Sequence, residues 1–357
     1  MEKNGFAAKL LDWYQIHKRD LPWRHSSDPY KIWLSEIILQ QTRVQQGLPY
    51  YERFVENYPT VQDLAMAEEQ EVLRLWQGLG YYSRARNMHY AAKTIATELG
   101  GKFPNTYKEI LKLKGVGGYT AAAIASFAFG EPVAVVDGNV FRVLARLFNI
   151  DDDIASSTGK KVFEKLANEL IPHEHAGEYN QAIMEFGALH CTPKKPNCLF
   201  CPFQQDCEAF RLGKQAELPV KINKTKVRKR YFHYLVWEHE GELLVKERQA
   251  GDVWQGLHDF MLIEHAEKFL ETEEVLARLE ALTIKSDGWK LEEISKDYKH
   301  ILSHQRIHAR FFHVKLNDVE LLRILAKQKA MKIANADRIQ QLPKPKLIVN
   351  YLKDAKI

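Results

Sequence analysis

Through the first 215 residues apolar side chains recur at spacings of three and four, as in "AAKLLDWYQI", "EVLRLWQGL" and "VFEKLANELI", with short polar or Gly/Pro joints between the runs. That period gathers them on one face of an α-helix, so this part reads as helical throughout. From Tyr231 the pattern changes. "YFHYLVWEHEGELLVKER" reads as two strands around a Glu-Gly turn, and "ARFFHVKL" as a further alternating strand. Helical spacing returns at residues 273–282 and 319–329. A basic stretch at residues 218–230 marks the change. The expectation is a helical region at 1–217, a linker at 218–230 and a small α+β domain at 231–357. No internal repeat or low-complexity tract interrupts it.

Length agrees with this division, because 357 residues exceed what one core ordinarily organises. Hydrophobic content of 45% with 27% charged residues is that of a soluble globular protein. The opening "MEKNGFAAKLLDWYQIHKRD" has no apolar core of signal-peptide length. The longest uncharged stretch, 115–130, has sixteen residues and four glycines. It falls short of the roughly 20 apolar residues of a membrane span and reads as a buried helix behind a glycine turn. Nothing points to export, and a cytoplasmic location follows. The net charge of +5 is concentrated, since residues 218–230 carry six basic residues and no acid. Such a tether suits a nucleic-acid contact or an ordinary solvated linker.

All four cysteines, Cys191, Cys198, Cys201 and Cys207, fall within "CTPKKPNCLFCPFQQDC", spaced C-x6-C-x2-C-x5-C. In a reducing compartment such a cluster is metal-binding before it is disulfide-bonded. Structural zinc sites usually use two separated C-x2-C knuckles, and one is present; four thiolates in one loop also suit an iron–sulfur cluster. Spacing leaves both open.

A second feature is "LKGVGGYTAAAIASFAFG", joining a helix that ends near Lys112 to one that begins near Tyr119. Gly115, Gly117 and Gly118 permit positive φ, and their amides can form an anion site at the second helix's N-terminus. A plain helix joint is the alternative. Two carboxylates complete the candidates. In "SDPYKIWLSEIILQQT", Asp28 is the expected N-cap and Pro29 the first helical residue. Glu36 follows with Ile32, Trp33 and Leu39 beside it on the helix. Apolar neighbours disfavour its charged form and suit it to a general acid; a half-exposed surface glutamate is the alternative. Asp137, in "GEPVAVVDGNVFRVLARL", is the expected cap of the next helix.

These motifs also carry a resemblance. The cysteine loop behind "NQAIMEFGALHCT" resembles that of the endonuclease III superfamily of DNA glycosylases, which implies a [4Fe–4S] cluster on Cys191, Cys198, Cys201 and Cys207, with Lys194 and Lys195 near the DNA backbone. The glycine turn resembles the helix-hairpin-helix motif L-P-G-V-G-x-x-T-A, with Lys114 in place of proline. Asp137 resembles the superfamily's aspartate that faces the sugar. Where strand-cutting members carry a lysine nucleophile this chain has Tyr119, implying base removal that stops at an abasic site. "WLSEIILQQT", "GLGYYSRARN" and "VVDGNV" together resemble the MutY-type adenine DNA glycosylases.

That resemblance implies excision of adenine opposite 8-oxoguanine, and also opposite guanine, from double-stranded DNA by a flipped-base mechanism. Glu36 would protonate adenine, at N7, and Asp137 would stabilise the sugar cation or bond to it, supported by Tyr119 and Asn139. Trp23, Arg24 and Leu39 would line the adenine pocket. Gln41 and Tyr81 would wedge into the duplex, with Thr42 and Leu79 in contact with it. Trp23, Tyr81 and Tyr82 equally read as core aromatics. "GELLVKERQAGDVWQGLHDFMLIE" resembles a Nudix strand and loop, but no R-E-x-x-x-E-E helix follows, which argues against pyrophosphate cleavage. "HILSHQRIH" resembles the lesion-reading H-x-F-S-H loop, with Ser303 and His304 as readers and Leu302 in place of Phe. His300, His304 and His308 would suggest a metal site only on a helix, and the alternation after them argues for strand and loop.

The expected fold is therefore multi-domain: an all-α helix-hairpin-helix glycosylase region with an iron–sulfur cluster loop, plus a C-terminal α+β Nudix-like domain. Within the first, residues 30–130 would form a helical barrel, and 1–29 with 131–217 the cluster subdomain. A nucleoid-associated monomer without membrane contact is implied. Two rivals remain, a bifunctional glycosylase/lyase and a non-catalytic DNA-binding protein; a third, nucleotide hydrolysis by the second domain, is disfavoured by the missing acidic helix.

Overall fold

A computed structural model describes residues 3–222, 227–282 and 288–357. The chain forms two compact units, one of Met1–Met66 with Asn87–Asn223, the other of Ala67–Arg86 with Lys224–Ile357. Helices run through the first part as the spacing predicts: α1 Lys3–His17, α2 Pro29–Leu39, α3 Val44–Asn57, α4 Val61–Met66, α5 Glu69–Leu75, α6 Ser83–Thr97, α7 Tyr107–Ile110, α8 Gly118–Phe129, α9 Gly138–Phe148, α10 Ser157–Leu170, α11 Ala176–Leu189 and α12 Glu208–Leu212. The grouping of residues 67–86, with α5, into the second unit leaves no trace in the hydrophobic spacing.

In the first unit, α1, α9, α10 and α11 enclose a core of Phe6, Leu10, Val143, Leu144, Phe163, Tyr179, Ile183 and Phe186. Phe203, from the cysteine loop, is fully buried there, with its ring 5.1 Å from Phe6 and 5.3 Å from Phe186. A loop with little secondary structure is thus anchored by an aromatic plug. The buried face of α8, residues 120–126, packs on α2, α7 and α11. Helix starts follow the sequence. Asp28 caps α2 by accepting from Tyr30 N at 2.9 Å, with Pro29 as its first residue. Asp137 caps α9 by accepting from Asn139 N and Val140 N, both at 2.8 Å. Such caps are typically worth about 1 kcal/mol.

The second unit is built on β1 Arg228–His239, β2 Glu242–Glu247, β3 His258–Asp259, β4 Met261–His265, β5 Trp289–Ile294, β6 Tyr298–Ile301, β7 Gln305–Leu316 and β8 Lys332–Ala334, with α13 Thr272–Glu280, α14 Val319–Lys329, α15 Ala336–Gln341 and α16 Lys346–Asp354. The expected hairpin is β1 and β2, turning at Glu240 and Gly241 with φ of 46° and 82°. The sheet runs β3-β2-β1-β7-β5, and its central pair, β1 and β7, is parallel from Arg228↔Gln305 to Glu238↔Lys315. Leu235, Trp237, Phe312 and Val314 on that pair bury against Val275, Leu279, Leu322 and Leu325 of α13 and α14.

The basic stretch 218–230 is built in at both ends. Leu218 is buried in the first unit's core, while Arg228, Lys229 and Arg230 are strand residues of β1. Residues 223–226 between them lie outside the described residues. Among the described residues no helix is long and apolar enough to cross a membrane.

Close backbone approach ties the fold to the region that carries Asp137. A Cβ at Gly187 on α11 would stand 2.7 Å from Asn139 Cβ and 3.0 Å from Asn139 O. Gly187→Ala should therefore cost about 1–3 kcal/mol in denaturant unfolding. Gly5→Ala on α1, where a Cβ meets nothing within 4 Å, should be neutral or stabilising by up to about 1 kcal/mol. Equal effects of the two changes would reject the close-packing account.

Candidate active site

A cavity of about 820 Å³ opens in the first unit and brings together residues from five stretches of chain, the fifth being α11 with Met184 and Glu185. Glu36, Leu39, Gln41 and Thr42 reach it from α2 and the turn after it, and Trp23 and Arg24 from the short helix at Pro22–Arg24. Gly115, Gly117, Gly118 and Tyr119 come from the glycine turn, and Asp137 and Asn139 from the start of α9. Glu36 is buried at 7% exposure. It is no surface glutamate. Burial, reinforced by the nearby Asp137 charge, pushes its carboxyl up to about 7, while a hydrogen bond from the Tyr119 hydroxyl and the Arg24 charge act the other way. The same hydroxyl lies 3.6 Å from Met184 Sδ.

Asp137 sits in the same cavity with a different set of partners. Burial raises its pKa, but the amides of Val140 and Asn139, the Asn139 side chain and the Arg142 charge all stabilise its anion. Asn139 Nδ2 donates to Asp137 Oδ2 at 2.8 Å, so both carboxylate oxygens are held. Arg142 Nη2 donates to Asn139 Oδ1 at 2.8 Å and to Gly187 O at 2.6 Å, and its Nε donates to Cys191 O at 2.7 Å. One side chain thus connects the neighbourhood of Asp137 with the first cysteine. The buried Arg146, one turn on, donates to Thr192 O at 2.8 Å and lies 3.4 Å from Cys191 Sγ.

Sequence reasoning missed Glu185. It is buried in the cavity wall and accepts from both Arg19 (Nε 2.8 Å, Nη2 2.6 Å) and Arg24 (Nη1 3.0 Å, Nη2 2.9 Å). These bonds hold its carboxyl at about 2 despite its burial. The available signal was an acid inside the apolar run "AIMEFGAL", the same signal that marked Glu36. Arg24 is accordingly spoken for by Glu185 while it lines the cavity.

At the glycine turn one expectation needs correcting. Only Gly115 has positive φ, at 77°, and a Cβ there would stand 2.6 Å from Asn87 Cβ. Gly117 is the extended N-cap of α8, and Gly118 is its first residue. A Cβ at Gly117 meets nothing within 4 Å, and one at Gly118 meets only the Tyr107 hydroxyl at 3.3 Å. Backbone conformation therefore does not require glycine at either. Both are exposed beside amides at the start of a twelve-residue helix. The preceding helix, α7, ends at Ile110, two residues before Lys112.

The second unit holds its own cavity, of about 640 Å³, lined by Leu79, Tyr81, Asp252, Trp254, His300, Leu302, Ser303, His304 and Gln305 among others. Tyr81 is 40% exposed with φ 49°, so it is no core aromatic, whereas Tyr82 is 4% exposed. Ser303 and His304 are exposed in the turn between β6 and β7, with Ser303 Oγ 3.3 Å from His304 Nδ1. His300, His304 and His308 fall on β6, the turn and β7. Gln41 and Thr42 line the first cavity and Leu79 and Tyr81 the second.

Cys191, Cys198, Cys201 and Cys207 are free of disulfides and line one small cavity with Arg146, Phe186 and His190. Burial pushes the thiols of Cys198, Cys201 and Cys207 up, that of Cys201 to about 12. Among the described residues no three His, Cys, Asp or Glu side chains converge on a single-ion site. Lys194 and Lys195 are exposed on the same loop.

The family profile of HhH-GPD superfamily base excision DNA repair proteins matches residues 34–173, and a NUDIX domain profile matches 233–354. The adenine DNA glycosylase of Buchnera aphidicola subsp. Baizongia pistaciae (strain Bp) is 32% identical over 88% of this chain and 88% of its own. That of Homo sapiens is 44% identical over 61% of this chain, a match spanning 41% of the human protein. A solved thermostable thymine-DNA glycosylase superposes with a TM-score of 0.54 at 30% identity, covering 59% of this chain and 97% of its own. With a helical region and a NUDIX sheet in this order, the chain belongs to the adenine DNA glycosylase family and is a base excision repair enzyme.

Proposed function

We propose that this enzyme excises adenine paired with 8-oxoguanine, and with guanine, and leaves an abasic site. The observation that carries the reading is the pairing of Glu36 and Asp137 in one cavity, both raised by burial but with more anion-stabilising donors at Asp137 than at Glu36. Glu36, poised near neutrality, holds the proton that the departing base needs, delivered at N7. The N-glycosidic bond then breaks with its electron pair going to the base. Asp137, its anion favoured by backbone and Asn139 donors, faces the positive charge left on the sugar at C1′. Tyr119 orients Glu36 and Asn139 orients Asp137. No lysine occupies the place of Tyr119, so no imine forms there.

Trp23, Arg24 and Leu39 line the space for the extruded adenine. The amides at Gly115, Gly117 and Gly118 take a backbone phosphate at the start of α8. Gln41 and Tyr81 wedge the duplex, Thr42 and Leu79 contact it, and Ser303 and His304 read the base opposite. The four cysteines fit an iron–sulfur cluster: they are free thiols lining one cavity beside the Arg146 cation, and burial raises the pKa values of Cys198, Cys201 and Cys207, so a bound cationic group would be needed to hold those three as thiolates. When bound, the cluster supplies structural cross-linking; Lys194 and Lys195 on its loop reach the DNA backbone.

Single-turnover base release from an 8-oxoguanine:adenine duplex tests the assignment. Glu36→Gln should lower the rate on the order of 10²–10⁴-fold, and full activity in that variant would reject the role. The wild-type rate should fall as pH rises through about 7, because Glu36 must carry its proton. Tyr119→Phe removes a bond that favours the ionised Glu36, so its fall should come at higher pH; a fall at lower pH would contradict the account. Isolated protein should contain iron and inorganic sulfide in equal amounts, and zinc without iron would exclude the cluster. Efficient borohydride trapping of an enzyme–DNA imine would instead favour a bifunctional lyase.

A further inference from the structure

Two segments line the second unit's cavity: one is the loop with Asp252 and Trp254, the other the β6–β7 turn with its flanking strand ends, His300 to Gln305. A buried side chain beneath them touches both. Arg230, on β1 and 6% exposed, donates through Nη1 to Asp252 Oδ1 at 2.8 Å and to Gln305 Oε1 at 3.0 Å. Its Nη2 reaches Asp252 Oδ2 at 3.0 Å, and Nε and Nη2 hold Glu264 of β4 at 2.7 and 2.6 Å. A rigid guanidinium can satisfy three partners in fixed directions, which an ammonium cannot.

Neighbouring contacts reinforce the same link. Arg228 N, also on β1, donates to His304 O at 3.0 Å, and Leu302 N donates to Gln305 O at 2.8 Å. Across the gap, the rings of Trp254 and His300 meet edge to face at 5.5 Å. Arg248 pairs with Asp252 as well, and with Asp259 at 2.7 Å.

We propose that Arg230 is a specificity-determining positioning residue: by tying Asp252 to Gln305 it fixes the separation of the two segments, and so the width of the slot beside Ser303 and His304. The inference rests on the reading of this cavity as the site for the base opposite adenine. Arg230 touches no substrate; it acts through Gln305 and the turn that precedes it.

The test is the ratio of single-turnover rates on 8-oxoguanine:adenine and guanine:adenine duplexes, with duplex affinity and melting temperature measured alongside. Arg230→Met should reduce the 8-oxoguanine preference on the order of ten-fold, with a smaller change at guanine:adenine. Arg230→Lys, which keeps the charge but not the fork, should retain part of the preference. Should Arg230→Met fail to fold, Gln305→Met cuts the link on one side only and leaves both carboxylate pairs intact. A folded Arg230→Met or Gln305→Met enzyme with undiminished preference overturns the proposal, as does an equal loss on both duplexes. Ser303→Ala with His304→Ala separates the two layers. If that pair abolishes preference while Arg230→Met does not, only the positioning role falls; if it leaves preference intact, the reading of the cavity falls and the positioning role with it.

Discussion

The constraint on which the site depends is the burial of two carboxyl groups together. Water removal alone would protonate both, because each anion loses its hydration. What separates them is the supply of hydrogen-bond donors. Asp137 occupies a helix start, where unpaired amides favour an anion, and the Asn139 amide takes its second oxygen. Glu36 lies mid-helix, where backbone amides are consumed by the helix itself, and has one phenolic donor. Position within secondary structure thus gives the two carboxyls unequal support for their anions. In the proposed reaction that difference is the catalytic device.

The same logic explains why the surrounding cations are restrained. Arg19 and Arg24 line the cavity, and free guanidinium groups would pull the proton from Glu36 and oppose a cation on the sugar. Glu185 binds both, at the expense of burying its own charge. Arg142 is restrained differently, between Asn139 and the carbonyls of Gly187 and Cys191. The cysteine loop is therefore mechanically continuous with the Asp137 clamp, and the plug at Phe203 anchors it in the core. A loop in this position can influence the chemistry without touching substrate.

How far the sequence reached follows from the range of each interaction. Caps at Asp28 and Asp137, the burial of Glu36 and the β1–β2 turn are all decided within a few residues, and they were legible. So was the division into helical and mixed parts, since period is a local property. Glu185 escaped because its partners lie 161 and 166 residues away, although its apolar surroundings were visible. The glycines of the hairpin misled for another reason. Composition shows that positive φ is allowed but not where it is used, and only the crowding by Asn87 singles out Gly115. The grouping of residues 67–86 with the second unit is likewise a long-range outcome with no local sign.

Arg230 combines both lessons. In sequence it is the last of six basic residues in a stretch that reads as a tether, its charge directed at solvent or a phosphate backbone. In the fold it is a buried strand residue whose charge is balanced by the partly exposed carboxylates of Asp252 and Glu264. Its partners stand 22, 34 and 75 residues away: Asp252 on a loop, Glu264 brought by the antiparallel β1–β4 pairing and Gln305 by the parallel β1–β7 pairing. A buried ion pair of this kind adds little net stability, since desolvation offsets most of the attraction. What it supplies is direction, because the guanidinium is the one side chain in these contacts that holds Asp252 and Gln305 together. That is the property required of a residue that sets a slot's width, and because a charge left unmatched by its loss also costs stability, selectivity has to be read beside melting temperature.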